Sequence, residues 1–261
     1  MAPKVPVALA IAGTDSGGGA GLAADLLTFA AHRVFGTVAV AAITVQNTRE
    51  ITRSQAVAAD LLSDQIHAVF SDFSPSAVKI GMLATSANVS AAARALRKWK
   101  AKNIVLDPVL LSTTGVRLLA TSAVGPLKKE LIPLAAVLTP NLPEAEALVG
   151  FPIRDEGDRR LAAGVLADLG AASILLKGGH TSGNQISDLF FDGKRFLEFH
   201  NFRLATTATH GTGCALSSAI AANLARGAKP AEAVKNGIEY LRGALKRGIF
   251  PGQGFGTPGH Y

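Results

Sequence analysis

The sequence is poor in several things, and each shortage narrows what the chain can be. It has one cysteine, Cys214, so no intrachain disulfide is possible and a reducing compartment is compatible with the chain. Aromatic residues make up only 6% and charged residues 17%, against 48% hydrophobic residues. Such a composition excludes a disordered chain and assigns the core to Ala, Val, Leu and Ile. No apolar run approaches the ~18 residues of a membrane helix. The apolar stretch Val5–Ala12 has only Lys4 as a nearby cation and runs straight into a Gly-rich loop, so it reads as a first strand rather than a secretion signal. A soluble, cytoplasmic chain with no membrane partner is expected. The excess of basic over acidic residues, 26 against 19, gives a net charge of +7. Those cations form no long tract, and the densest group, Arg94 to Lys102, has only Trp99 among it. A solvated helix face explains that group, no nucleic-acid partner is expected, and a basic surface also attracts small anions.

Two nucleotide fingerprints are missing as well. No Lys-Ser or Lys-Thr pair follows a Gly-rich loop, which excludes a Walker A site. No G-x-G-x-x-G follows the first strand, which argues against a dinucleotide-dependent oxidoreductase.

What is present is an alternation of short apolar runs with amphipathic stretches. Strands are expected at Val5–Ala12, Thr37–Val45, Ala77–Ile80, Ile104–Leu106, Ala135–Leu138 and Ser173–Leu176. Helices are expected at Ala20–His32, Ala56–Phe70, Ser86–Lys98, 121–131, 143–149, 157–169, 212–226 and 230–247. Asp192-Gly193 between two β-rich runs, Asp188–Phe191 and Arg195–Phe199, predicts a hairpin, and the tail Pro251–Tyr261 reads as irregular. Strand–helix alternation with continuously apolar strands implies an α/β fold, a mostly parallel sheet buried on both faces. Nothing divides the chain, so one domain over residues 1–261 is expected. Polar residues follow several strands: Asp15, Gln46, Asp107, Asn141 and Lys177. In open α/β sheets ligands bind beyond those carboxyl ends.

Four motifs carry chemistry. Thr209-His210-Gly211-Thr212-Gly213-Cys214 opens an apolar helix, where free N–H groups and the helix dipole make an anion site. That environment lowers a thiol pKa, so Cys214 serves as base or nucleophile; a helix-capping turn with an inert buried thiol uses the same residues. Asn141-Leu142-Pro143-Glu144 reads as a helix start with a dipole-complementing carboxylate. Equally, Glu144 and Asp107 supply oxygen ligands to Mg²⁺, which retains waters and pairs with phosphates. Gly13–Gly21, with Asp15 and Asp25, allows a ligand close to backbone, or leaves Asp25 as a solvated helix residue. Gln46 offers one acceptor and two donors, which suits an aminopyrimidine edge, and Lys177 before Gly178-Gly179-His180 neutralises phosphate or lies at the surface. His180 and His210 lack paired spacing, and zinc is not expected.

In this order the motifs resemble the ribokinase-like superfamily, and within it the hydroxymethylpyrimidine and phosphomethylpyrimidine kinases of thiamine biosynthesis. The resemblance runs over about residues 8–226. It is carried by Ala12–Ser16 with Gly18–Gly21 and Asp25, Val45–Thr48, Lys79–Leu83, Val105–Val109, Leu138–Ala145, Lys177–His180 and Thr209–Cys214. It implies a ribokinase-like three-layer α/β/α sandwich, usually a homodimer, that phosphorylates an aminopyrimidine twice with ATP and Mg²⁺. Gly13, Asp25, Gln46, Met82 and Val109 would hold the pyrimidine, and Asp107, Asn141 and Glu144 would organise Mg²⁺ and its waters. Asn141, Lys177 and Thr212 would meet ATP, while Gly211, Gly213 and Cys214 would form the anion hole, with Cys214 as base. Two departures stand out. Ala23-Ala24-Asp25 replaces the common Gln-Ala-Asp, and Leu111–Val116 lacks the Lys and Asp of the usual Ala-Lys-Ser-Gly-Asp. A pyridoxal kinase of the same family and a non-catalytic vitamin-binding relative are the competing readings.

Overall fold

A computed structural model of the chain describes residues 5–112, 115–179 and 183–261. His180 and the central Thr113-Thr114 of the divergent stretch lie outside them. Within the described residues the strands form one nine-stranded sheet, ordered β3-β2-β1-β4-β5-β6-β7-β8-β9. The strands are β1 (Val7–Gly13), β2 (Phe35–Gln46), β3 (Ile51–Ala56), β4 (Ala77–Ile80), β5 (Ile104–Leu106), β6 (Val137–Leu138), β7 (Ile174–Leu176), β8 (Gln185–Phe191) and β9 (Phe196–Phe202). From β2 to β7 all pairings are parallel; β3 joins β2, and β8 and β9 join β7, antiparallel.

The helices are α1 (Gly21–Ala31), α2 (Ala59–Asp72), α3 (Ser86–Lys98), α4 (Val124–Pro126), α5 (Leu142–Val149), α6 (Glu156–Asp168), α7 (Thr212–Ala225) and α8 (Pro230–Lys246). They cover both faces of the sheet, because alternate side chains of each buried strand point opposite ways. Leu9 and Ile11 of β1 join Leu62, Ile66, Val89, Leu96 and Leu148 on one face. Ala8, Ala10 and Ala12 join Leu22, Phe29, Ile220 and Val234 on the other. The small side chains on that second face let α1 and α7 approach closely. Helix α7 is buried on all sides from Ala215 to Leu224, as expected of a helix apolar around its whole circumference.

Most expected elements appear within two or three residues of their expected ends, and the Asp192–Arg195 hairpin turn is present, with Gly193 left-handed at φ 85°. Three departures have physical causes. β3 was not expected, because its residues are largely exposed and polar and carry no apolar alternation. The helix expected at 121–131 is a mixed run over 121–134 of 3-10, α and π turns, broken by Pro126 and Pro133. The tail is irregular but closely packed: Phe255 N donates to Thr48 O at 3.0 Å and His210 N to Gly256 O at 3.0 Å.

The chain leaves β1 to one side for β2 and returns to its other side for β4. This reversal opens a crevice beyond the carboxyl ends of β1 and β4.

Candidate active site

A cavity of about 680 Å³ occupies that crevice and extends along the carboxyl ends of β5, β6 and β7 to α8. Gly13, Gln46, Met82 and Val109 line one end, and Gly211, Thr212, Gly213 and Cys214 line the middle. Asp107, Asn141, Glu144 and Lys177 gather opposite. Twelve of the thirteen residues singled out from the sequence therefore line one space, with Asp25 as the exception.

The middle of the cavity is the N-terminus of α7. Gly211 is its N-cap, left-handed at φ 83°, and no side chain caps the helix. First-turn N–H groups have no partner within a helix, so here they face the cavity as an anion-binding surface. The Gly-rich loop before α1 closes against this turn. Asp15 accepts from Gly17 N at 2.8 Å, Gly19 N at 3.1 Å and Ala20 N at 2.8 Å, and it pairs with His210 Nε2 at 2.7 Å. Burial opposes ionisation of Asp15, but His210 and the backbone donors outweigh it and hold the carboxyl below its ordinary value.

Lys177 bridges the two acidic groups. Its Nζ donates to Asp107 Oδ1 at 2.8 Å and lies 4.0 Å from Glu144 Oε2. Burial alone would depress this lysine, yet Asp107 and Glu144 hold it above its ordinary value. Ser217 Oγ of α7 reaches the other Asp107 oxygen at 3.3 Å. Glu144 does serve in a capping box: it accepts from Asn141 N at 2.9 Å, while Asn141 Oδ1 accepts from Glu144 N at 2.8 Å. It also lines the cavity, so the cap does not withdraw its carboxyl from that space.

Glu144 is pushed up to about 7, first by burial and then by Asp107, against Lys177 and the N–H groups of Asn141 and Leu110. The unfolded carboxyl releases its proton near 4.5, so across that window the folded chain holds a proton the unfolded chain has lost. Its contribution to stability falls as pH rises through the window. Glu144→Gln, which preserves the cap, is expected to flatten this slope; urea unfolding of the metal-free chain at about pH 5 and about pH 8 measures it.

The donor set fits Mg²⁺ better than a protein-enclosed metal. Two buried carboxylates face a cavity beside a lysine, and among the described residues no group of three or more His, Cys, Asp or Glu could cage an ion. An ion that keeps its waters and shares phosphate oxygens suits that arrangement.

Two expectations need correction. Asp25 does not line the cavity. It is fully buried beneath it, with both oxygens on Lys79 Nζ at 2.7 and 2.8 Å and Ser218 Oγ on Oδ1 at 2.7 Å. Neither a ring contact nor a solvated helix position describes it. Cys214 is at the cavity wall, but its thiol is not activated at rest. Burial pushes it above its ordinary value and Asp25 and Asp107 reinforce this, against Lys79 and an N–H bond from Gly21.

The sequence reading also missed residues. Leu204, Ile238, Leu241 and Leu245 form an apolar end to the cavity beside Arg203 and Arg242. The i, i+3, i+7 spacing of Ile238, Leu241 and Leu245 on α8 marks an amphipathic helix, but not which part of its stripe stays uncovered. Arg117, just past the stretch that lacks the usual lysine, lines the wall. Asp15 and His210 are 195 positions apart, and no local pattern links them.

The phosphomethylpyrimidine kinase family model matches residues 15–259. A hydroxymethylpyrimidine/phosphomethylpyrimidine kinase of Rhizobium meliloti is 45% identical over 258 residues, covering 98% of this chain and 97% of the relative. Among solved structures, an ADP complex of Bacillus subtilis pyridoxal kinase superposes with a TM-score of 0.91 at 32% identity, over 98% of this chain and 97% of that one. The phosphomethylpyrimidine kinase of Clostridium difficile superposes with a TM-score of 0.81 at 38% identity, over 90% of this chain and 97% of that one.

Proposed function

This chain belongs to the phosphomethylpyrimidine kinase family, and from that premise we propose that it is a phosphotransferase carrying the γ-phosphoryl group of ATP to 4-amino-5-hydroxymethyl-2-methylpyrimidine. The monophosphate is then phosphorylated again to the diphosphate, in thiamine biosynthesis. The observation that carries this reading is the uncapped N-terminus of α7 facing Asp107, Glu144 and Lys177 across one cavity.

Phosphoryl transfer asks for positioning and charge neutralisation more than covalent chemistry. The aminopyrimidine binds at the end lined by Gly13, Gln46, Met82 and Val109. Adenosine binds at the apolar end between Leu204 and α8, and the phosphates run between them toward Asn141, Lys177 and Thr212. N–H groups at Gly211–Cys214 stabilise charge on the group in transit, and Lys177 neutralises the phosphates as it now neutralises Asp107. Bound Mg²⁺ would be held by Asp107 and Glu144 and would supply positive charge to the phosphate oxygens.

Cys214 lies beside the anion-binding turn, where the acceptor hydroxyl gives up its proton. Because transfer runs through a loose transition state, that proton leaves late; the thiol can take it only as thiolate, so Cys214 first gives its own proton to solvent, a form that Lys79 and the Gly21 N–H favour. In the second step the acceptor is a phosphate and needs no strong base. Cys214→Ala is expected to slow the first phosphorylation by roughly 10²-fold and the second far less; separate rates on the two acceptors check this, and equal losses would contradict it.

Pyridoxal is the acceptor to set against the aminopyrimidine, since the neighbour with a TM-score of 0.91 is a pyridoxal kinase. Identity favours the pyrimidine: 45% with the Rhizobium enzyme against 32% with the pyridoxal kinase. ADP release with each acceptor alone decides between them. Turnover on pyridoxal and on neither pyrimidine would reject the proposed substrate. Turnover on no acceptor would favour the vitamin-binding reading.

The chain acts in this reading as one cytoplasmic catalytic unit and as a homodimer. Exposed Ile43 and Val45 on β2, and the stacked, half-exposed Phe35 and Phe73, offer apolar surface for such an interface. No helix among the described residues is long and apolar enough to cross a membrane.

A further inference from the structure

We propose that the Asp15–His210 pair fixes the Gln46 side-chain amide in one of its two orientations, and that this orientation selects a ring carrying an amine next to a ring nitrogen. The inference rests on the reading that Gln46 meets the ring, and it adds what makes Gln46 selective.

The backbone of Gln46 is tied to the Gly-rich loop: its N–H donates to Ser16 Oγ at 2.9 Å and its carbonyl accepts from that hydroxyl at 2.8 Å. With the backbone held, a half-turn of the amide remains, which exchanges its oxygen and nitrogen. As placed, the amide nitrogen lies 3.4 Å from His210 Nε2 and the amide oxygen 3.1 Å from Thr44 Oγ1; the hydrogens of the groups around it require the half-turned placement.

Asp15 already accepts three backbone N–H bonds, and its depressed pKa keeps it an acceptor. His210 Nε2, 2.7 Å away, must therefore carry the hydrogen. An amide nitrogen facing that N–H would set donor against donor, whereas an amide oxygen accepts from it as a second partner. At the other end, the single hydroxyl hydrogen of Thr44 is committed to Thr14 O at 2.8 Å. Thr44 Oγ1 then has only lone pairs for Gln46, and the amide end facing it must be the nitrogen. Both ends require the same orientation: oxygen on His210, nitrogen on Thr44.

The remaining edge of the amide is one acceptor and one donor in a fixed order. It matches a ring nitrogen beside an exocyclic amine, the same bidentate pairing by which an amide side chain reads adenine. The amine pairs with the oxygen, on the His210 side, and the ring nitrogen lies toward Thr44. His210 directly precedes Gly211 and the anion-binding turn. In the proposed substrate the hydroxymethyl carbon adjoins the amine-bearing carbon, so this ring orientation turns the reacting hydroxyl toward α7. His210, Asp15 and Thr44 are positioning residues that act through Gln46.

The test compares dissociation constants and KM for 4-amino-5-hydroxymethyl-2-methylpyrimidine and its analogue lacking the amine. Wild-type protein is expected to prefer the amine by roughly tenfold or more. His210→Leu and Thr44→Val should each reduce that preference to within about twofold, through KM rather than kcat, because one oriented pairing is lost. His210→Gln restores a donor to Asp15 and to Gln46 and should keep the preference. Thr44→Val is nearly isosteric and decides the matter if His210→Leu does not fold. A wild-type protein indifferent to the amine would overturn the Gln46 reading itself. A wild-type preference that survives in both variants would overturn the relay alone. Equal weakening toward both ligands would also overturn it, by assigning His210 and Thr44 to loop integrity.

Discussion

Gly211→Ala is expected to lower the rate of phosphoryl transfer by about 10²–10³-fold, the loss associated with removing preorganised N–H donors from a developing negative charge. Two independent facts converge on this position. Its φ of 83° lies in the left-handed region, which costs a non-glycine residue about 1–3 kcal/mol when imposed. A Cβ there would also stand 2.0 Å from Gly19 O and 3.1 Å from Ala20 Cα. These are backbone atoms with no rotamer to yield, so either the anion-binding turn or the Gly-rich loop must move. Gly150 is the control. It is also left-handed, at φ 86°, but a Cβ would meet nothing within 4 Å. Gly150→Ala should cost stability through backbone strain alone and leave turnover unchanged. Single-turnover rates and thermal melts of both variants separate the collision from the strain.

Lys79→Met is expected to destabilise the chain by about 3–5 kcal/mol, the cost of leaving one member of a buried ion pair alone. Lys79 and Asp25 are both fully buried, with Ser218 the third member of the cluster. Burial raises the Asp25 carboxyl despite its lysine, so without Lys79 the group must either take up a proton or remain charged in an apolar site. For a chain of this length the melting temperature should drop by roughly 10 °C. Lys79→Met combined with Asp25→Asn should recover most of the loss, since replacing a whole buried pair is often close to neutral. Thermal and urea unfolding of the single and double variants measure the difference. A single variant as stable as the parent would mean that the pair is not the buried unit described.

Asp25 also marks the limit of what the sequence discloses. Its position one helical turn beyond a Gly-rich loop suggested a ligand contact. Its partner lies 54 positions away, on strand β4, and depth beneath the sheet's end has no local signature. His210 and Asp15 are hidden for the same reason. The buried strands were legible because both of their faces are covered, which leaves continuous apolar runs ended by Gly, Pro or a polar residue. Those end residues, Gln46, Asp107, Asn141 and Lys177, then converge in space because parallel strands bring their carboxyl ends to one edge. The edge strand β3 carried no such signal, since its exposed side chains need not be apolar. The 121–134 run was readable as helical but not as irregular. The burial that raises the Cys214 thiol, and the Asp25 and Asp107 carboxylates that add to it, come from packing of distant segments and have no local signature.

The central claim is that the N-terminus of α7, facing Asp107, Glu144 and Lys177, passes phosphoryl groups from ATP to the aminopyrimidine. Phosphorus NMR of one reaction containing protein, ATP, Mg²⁺ and 4-amino-5-hydroxymethyl-2-methylpyrimidine tests it most directly. The account predicts a monophosphate ester signal that appears first and then gives way to the paired signals of a diphosphate ester as ADP accumulates. The parallel Asp107→Asn reaction should be slowed by about 10²-fold or more. ADP and inorganic phosphate without either ester, or ester formation undiminished by Asp107→Asn, would contradict it.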